Sequence, residues 1–216
     1  FPIEILYPTD VHKEVEKTKV APSTRGNIVH EFCEHYRGNM DVSKLLKDIV
    51  GSHGIQYDME LEGWLMPYIE NYLKHYKEDY DEVYVEKDFY IKIEDTYIHG
   101  IIDRINIKNR KAEIIDFKTN RIEDKEQLIK HYESQIQLYA YAFQSISHME
   151  VERASILFLE TGELVDIDIR QSLLDKNYQN ITNFVRFVKN SNRTEQYDKK
   201  CNCNGNCIYN ILCNMD

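Results

Sequence analysis

Long apolar runs are missing from this 216-residue chain. No window approaches the roughly 18 consecutive apolar residues of a membrane-spanning helix, so no membrane partner is expected. Basic residues are in deficit, 27 Lys+Arg against 37 Asp+Glu, for a formal net charge of −10. That balance argues against a protein that simply coats nucleic acid, but not against an enzyme whose carboxylates hold metal ions. Proline is scarce; Pro2, Pro8 and Pro22 are three of only four, and they mark residues 1–22 as an irregular lead-in. Cysteine is scarce too, with Cys33 alone outside the last sixteen residues. An odd count of five, four of them in one short tail, is a poor disulfide framework for a secreted domain. The start, Phe1-Pro2-Ile3-Glu4, has neither the basic residues and apolar core of a secretory signal nor an initiator Met. A fragment of a longer protein in a reducing, cytoplasmic setting is therefore expected. There is no internal repeat, no low-complexity tract and no Walker A lysine loop, so any ATP-driven motor must lie elsewhere.

What is present suits one domain with a tail, long enough to bury a core without disulfide staples. Apolar spacing predicts helices from Ser23 or Thr24 (as cap) to about Arg37, from Asp41 to before Gly51, and from Tyr57 to Tyr76. Strands are expected over Val83–Ile93, Tyr97–Ile107 and Ala112–Phe117, then a helix over Lys125–Gln144. Strands Arg153–Glu160 and Leu164–Ile169, turning on Thr161-Gly162, and a helix Leu173–Lys189 follow. This order predicts an α/β domain, a central mixed β-sheet flanked by helices. The expected divisions are a helical part at 23–80, sheet and long helix at 81–170, a last helix at 171–190 within a domain reaching 200, and the tail at 201–216. In that tail Cys201, Cys203, Cys207 and Cys213 lie close enough to converge on one soft ion, zinc or an iron–sulfur cluster.

The most informative stretch is HGIIDRINIKNRKAEIIDFKTN, residues 99–120. Asp103 and Asp116 sit inside otherwise apolar strands, where an unpaired charge is expensive. A turn centred on Asn109-Arg110 would set the two acids opposite each other on one face, and a one-residue slip would separate them. Lys118, two residues beyond Asp116, belongs to the same face. Two carboxylates and an ammonium on one patch suit metal-assisted phosphodiester hydrolysis: the acids hold Mg²⁺, and the lysine orients water or meets developing charge. The same three residues would also suit a structural ion pair. Nearby, His30-Glu31-Phe32-Cys33-Glu34-His35 misses the zinc-protease pattern by one residue.

The surroundings of these acids resemble the PD-(D/E)XK nuclease superfamily, and within it the RecB-like nuclease domains of helicase–nucleases of the AddAB type. Gly100-Ile101-Ile102-Asp103-Arg104 matches the setting of the family's first acid, and Asp116-Phe117-Lys118-Thr119 its D-x-K-T. Gln135 to Tyr139 matches its Q-x-x-x-Y helix, and Arg25-Gly26-Asn27-Ile28-Val29-His30 its R-G-x-x-x-H helix start. Glu86 fits an acid on the first strand, although its neighbour Asp88 competes for that place. The five pieces occur in family order from residue 25 to 139.

The resemblance implies a restriction-endonuclease-like core and a Mg²⁺- or Mn²⁺-dependent DNA nuclease, expected to be an exonuclease in DNA end processing and recombinational repair with a helicase in cis or trans. Asp103 and Asp116 would bind metal with the carbonyl of Phe117, and His30 would add a ligand or a phosphate contact. Lys118 would position the attacking water, and Gln135 and Tyr139 would orient the lysine and the DNA backbone. Cys203, Cys207 and Cys213 come near a family [4Fe–4S] pattern whose fourth ligand would be Cys201, Cys33 or a residue upstream of Phe1, with Zn²⁺ the alternative. Apart from the resemblance, Arg104 is expected to make a salt bridge. The net charge leaves two alternatives: a basic groove using residues such as Lys92, Arg104, Lys108, Arg121 and Lys125, or delivery of DNA by a helicase to a domain that alone binds weakly. The rival readings are a catalytically silent module of the same fold that binds DNA or bridges subunits, and a zinc scaffold whose sheet acids are structural.

Overall fold

The computed structural model describes residues 20–122 and 124–190. Three helices come first: α1 (Pro22–His35), α2 (Val42–Ser52) and α3 (Met59–His75). Strands β1 (Glu82–Ile93), β2 (Thr96–Lys108) and β3 (Lys111–Lys118) follow, then α4 (Lys125–Ser147). Strands β4 (Glu150–Phe158) and β5 (Glu163–Asp166) and helix α5 (Gln171–Asn190) complete the domain. The strands lie in one sheet in chain order, antiparallel throughout except for β3 and β4. That parallel pair needs a crossover, which α4 supplies. The mixed sheet flanked by helices is the expected restriction-endonuclease-like architecture. Among the described residues no helix is long and apolar enough to cross a membrane.

Asp41, Asp58 and Asp124 cap α2, α3 and α4, each accepting from a backbone N–H three residues on. Helix α1 departs from expectation: it begins at Pro22, with Ala21 at the cap and no side-chain bond there. Proline at the first helical position has no N–H to satisfy and brings a helical φ, so Ser23 and Thr24 are drawn inside the helix. Helix α2 also continues through Gly51, and the left-handed glycine that ends this region is Gly54, with φ 70°. Alternation along β3 divides the core in two. Ile115 and Phe117 pack with Ile28, Phe32, Leu65 and Tyr72 of the N-terminal helices. Ala112 and Ile114 face Ile136 and Ala140 of α4 and Leu174 of α5.

The β1–β2 hairpin outgrows the sheet. It is paired from Glu82↔Ile107 to Ile93↔Thr96, whereas β3 reaches only the stretch Arg104–Lys108 of β2. Residues 87–102 therefore form a two-stranded arm. The inner side of the arm carries Phe89, Ile91 and Ile102 into the α4 core, and Phe89 meets Tyr139 edge-on with centroids 5.6 Å apart. Arg186 and Lys189 of α5 form ion pairs with Glu94 and Asp95 at its tip.

Gly100 pairs with Phe89 across the arm, and a Cβ there would meet the Phe89 ring at 2.5 Å. The glycine makes room for that ring. Gly100→Ala is expected to lower stability by roughly 1–3 kcal/mol through overpacking, read from urea unfolding. Phe89→Leu in the same chain should recover part of the loss.

Candidate active site

The Asn109-Arg110 turn has both residues at positive φ, 52° and 62°, the backbone of a tight two-residue hairpin. It sets the expected β2–β3 register, which runs to Arg104↔Ile115 and stops. One step further, at the fork where the strands part, are Asp103 and Asp116. In place of a ladder bond, Asp103 Oδ2 accepts the N–H of Phe117 at 2.6 Å. Asp116, 1% exposed, has Lys118 Nζ 2.7 Å from its Oδ2. That contact lies off hydrogen-bond angles and leaves this buried oxygen with no hydrogen bond.

Glu86 reaches the fork through an unusual backbone. Its φ is 46°, and it drops out of the β1–β2 register between Val85↔Arg104 and Lys87↔Ile102. One ligand atom each from His30, Glu86 and Asp103 lies within 4.8 Å of the other two. His30 Nδ1 is 3.7 Å from Asp103 Oδ1. Asp88, the competing acid, is exposed and accepts from His99 Nε2 at 2.6 Å.

Helix α1 is aimed by Arg25 and Gly26. The Arg25 guanidinium donates to the Thr119 carbonyl at 3.3 Å and lies 5.2 and 5.0 Å from the ring centres of Trp64 and Tyr68. Gly26 faces Thr119, whose Oγ1 would stand 3.1 Å from an added Cβ. The helix thus lies close against the end of β3, and His30, one turn on, meets Asp103.

Burial and mutual repulsion set the charges. Burial, then the Asp116 charge, push the Asp103 carboxyl well up from the ordinary range. Glu86 is pushed to about 7 by burial and by Asp103. His30 is lowered, chiefly by burial. Burial alone would lower Lys118, but Asp116 and Asp103 more than offset it, so the ammonium is held above its usual value. Three carboxylates face one ammonium, with an imidazole beside them and one buried oxygen unbonded. This oxygen-rich donor set fits a hard divalent cation such as Mg²⁺ or Mn²⁺.

The other expected residues fall differently. Gln135 Nε2 donates to Tyr139 OH at 2.5 Å, beneath the arm. The α4 ring over the Lys118 ammonium is that of Tyr132, 4.4 Å away, and its hydroxyl donates to Asn120. Tyr132 is invisible to sequence reasoning because it lies on the apolar stripe of its helix. Arg104 makes no salt bridge among the described residues. It is 5% exposed, donates to Asn106 Oδ1, Tyr72 OH and the Lys77 carbonyl, and lies over the Tyr76 ring. The expected basic groove does not form as such, since Arg104 is buried and Lys108 and Lys125 are paired with Asp79 and Glu163. Cys33 is buried in the helical core, which raises its thiol pKa. Cys201, Cys203, Cys207 and Cys213 lie outside the described residues.

The sequence model of the PD-(D/E)XK nuclease superfamily matches residues 6–214. A polypeptide of the ATP-dependent helicase/nuclease of Clostridium botulinum (strain Okra / Type B1) is 26% identical over 177 residues, covering 71% of this chain and 14% of that protein. Its counterpart in Lacticaseibacillus casei (strain BL23) is 35% identical over 74 residues, 34% of this chain and 6% of that protein. The chain therefore spans only a small part of the length of these curated relatives. A solved structure of a candidate exonuclease from Eubacterium rectale shares the fold at 13% identity. Its TM-score is 0.52, covering 86% of this chain and 74% of that one.

The raised carboxyls give the metal-free protein a defined pH response. Between the ordinary carboxylate range and the raised values, the folded state holds more protons than the unfolded chain, so stability falls as pH rises through that window. Asp103→Asn keeps an acceptor for the Phe117 N–H and removes one repelling charge. In the presence of a chelator it should flatten the slope and, at pH 8, raise stability by on the order of 2 kcal/mol. Thermal melts at pH 5.5 and 8 check this; an unchanged slope would mean that Asp103 ionises normally.

Proposed function

The chain belongs to the PD-(D/E)XK nuclease superfamily, and on that premise we propose that it is a divalent-metal-dependent deoxyribonuclease. We place it as the exonuclease module of a DNA-end-processing machine that includes a helicase. One observation carries the reading: His30, Glu86, Asp103, Asp116 and Lys118 converge where β2 and β3 part, around a buried Asp116 oxygen without a hydrogen bond. The curated helicase/nuclease relatives support the helicase setting.

In this reading Asp103 and Asp116 are the principal ligands, with the Phe117 carbonyl, His30 and Glu86 completing the set. A bound Mg²⁺ or Mn²⁺ would polarise the phosphodiester and acidify a water. The chain's own residues prepare for that step. Phe117 N–H fixes the Asp103 carboxylate from one side, leaving its other oxygen turned toward His30. Burial keeps His30 neutral, the form in which an imidazole nitrogen donates its lone pair. Lys118, kept protonated by its two acids, cannot accept a proton. It donates N–H to the attacking water or to a phosphate oxygen and meets negative charge as it develops. Tyr132 holds the ammonium in place from the α4 side, and the Gln135–Tyr139 pair braces the arm that extends from Glu86.

End-labelled single- and double-stranded DNA, incubated with Mg²⁺ or Mn²⁺, tests the proposal. The parent chain should cut, chelation should stop it, and Asp116→Ala and Lys118→Ala should each lower the rate by at least about 10²-fold. A chain that binds DNA and leaves it intact with either metal would instead favour the silent module.

A further inference from the structure

We propose that the outward face of the β1–β2 arm is a stacking surface for the bases of an unpaired DNA strand, and that it leads into the Glu86–Asp103 fork; this rests on the nuclease reading above. The arm springs from the site itself, at the unpaired Glu86–Asp103 position. Beyond Glu86, side chains two apart share a side, and with Phe89 and Ile91 turned toward α4 the outward pairs are Asp88↔Ile101, Tyr90↔His99 and Lys92↔Tyr97. At about 3.3 Å per residue the track from Asp103 to Tyr97 is about 20 Å long, enough for several nucleotides of an extended strand.

Its chemistry is that of a base platform. Tyr90 and Tyr97 are each 61% exposed, although aromatic rings ordinarily find cover. The Tyr90 ring stacks on His99 with centroids 4.6 Å apart at 19°, and Lys92 Nζ lies 5.9 Å above the Tyr97 ring. Charge favours a polyanion here in spite of the chain's net −10. Asp88 is bound by His99, Glu94 by Arg186 and Asp95 by Lys189. Lys92 has no ion pair among the described residues. Exposed rings with a cation beside them are how unpaired strands are held irrespective of sequence. A duplex keeps its base faces stacked on one another and has none to offer such a surface.

The test compares binding of a fluorescent oligo-dT with that of an abasic strand of equal length, with Ca²⁺ in place of the catalytic ion. Both strands carry the same phosphates, and only one has bases. The parent should prefer oligo-dT by roughly tenfold or more. Tyr90→Ala with Tyr97→Ala should erase that preference, while Tyr90→Phe with Tyr97→Phe, which keeps the rings, should retain it. Equal binding of both strands by the parent, binding of neither, or a preference that survives the alanine pair would each overturn the proposal. Hydrolysis of bis(p-nitrophenyl) phosphate, a phosphodiester without bases, separates the two readings. A parent that hydrolyses it yet shows no base preference loses the stacking surface and keeps the nuclease. A parent inactive on it and on DNA loses the nuclease reading, and the oligonucleotide pair still judges the arm.

Discussion

The bond from the Phe117 N–H to the Asp103 carboxylate replaces the next rung of the β2–β3 ladder. A side chain thereby does what a backbone carbonyl does elsewhere in the sheet, and the strands part without leaving a buried N–H unpaired. The opening so made is where Asp116 and Lys118 come forward from β3. It is also where α1 can bring His30 down, because Arg25 and Gly26 seat that helix on the last residues of the strand. Break the fork and these elements lose their common meeting point.

The fork is electrostatically unfavourable, and the rest of the fold holds it together. Apolar side chains on both faces of β3 fix the strand that carries Asp116 and Lys118, while the hairpin turn at Asn109-Arg110 fixes the register that brings Asp103 beside them. Lys118 offsets part of the crowding of carboxylates, and the packing prevents the strands from moving to escape the rest. A site whose repulsion is confined by a rigid frame is prepared for a cation, at some expense in stability.

Much of this was readable from residues alone, and the reasons are physical. Asp103, Asp116 and Lys118 stand out because charge inside apolar strands breaks the local pattern, and such breaks tend to mark function. The choice between Glu86 and Asp88 was beyond two-residue periodicity, because it depends on a left-handed backbone at Glu86 that no composition rule announces. Tyr132 was hidden by being a good core residue as well as a neighbour of Lys118. Arg104 departs from expectation for the opposite reason: a guanidinium suggests a carboxylate partner, but here neutral oxygens and an aromatic face satisfy it. At α1, Pro22 displaced the expected serine or threonine cap.

The arm is held by two kinds of force. Along its inner side Phe89, Ile91 and Ile102 are anchored by apolar packing, and Ile93 is buried at the far end; that hold is indifferent to ionic strength or slightly strengthened by it. At the tip, exposed ion pairs to α5 are added, and electrolyte screens those. Salt thus acts on one part of the grip and spares the other: the tip loses its ionic latch while the apolar seam beneath it stays shut.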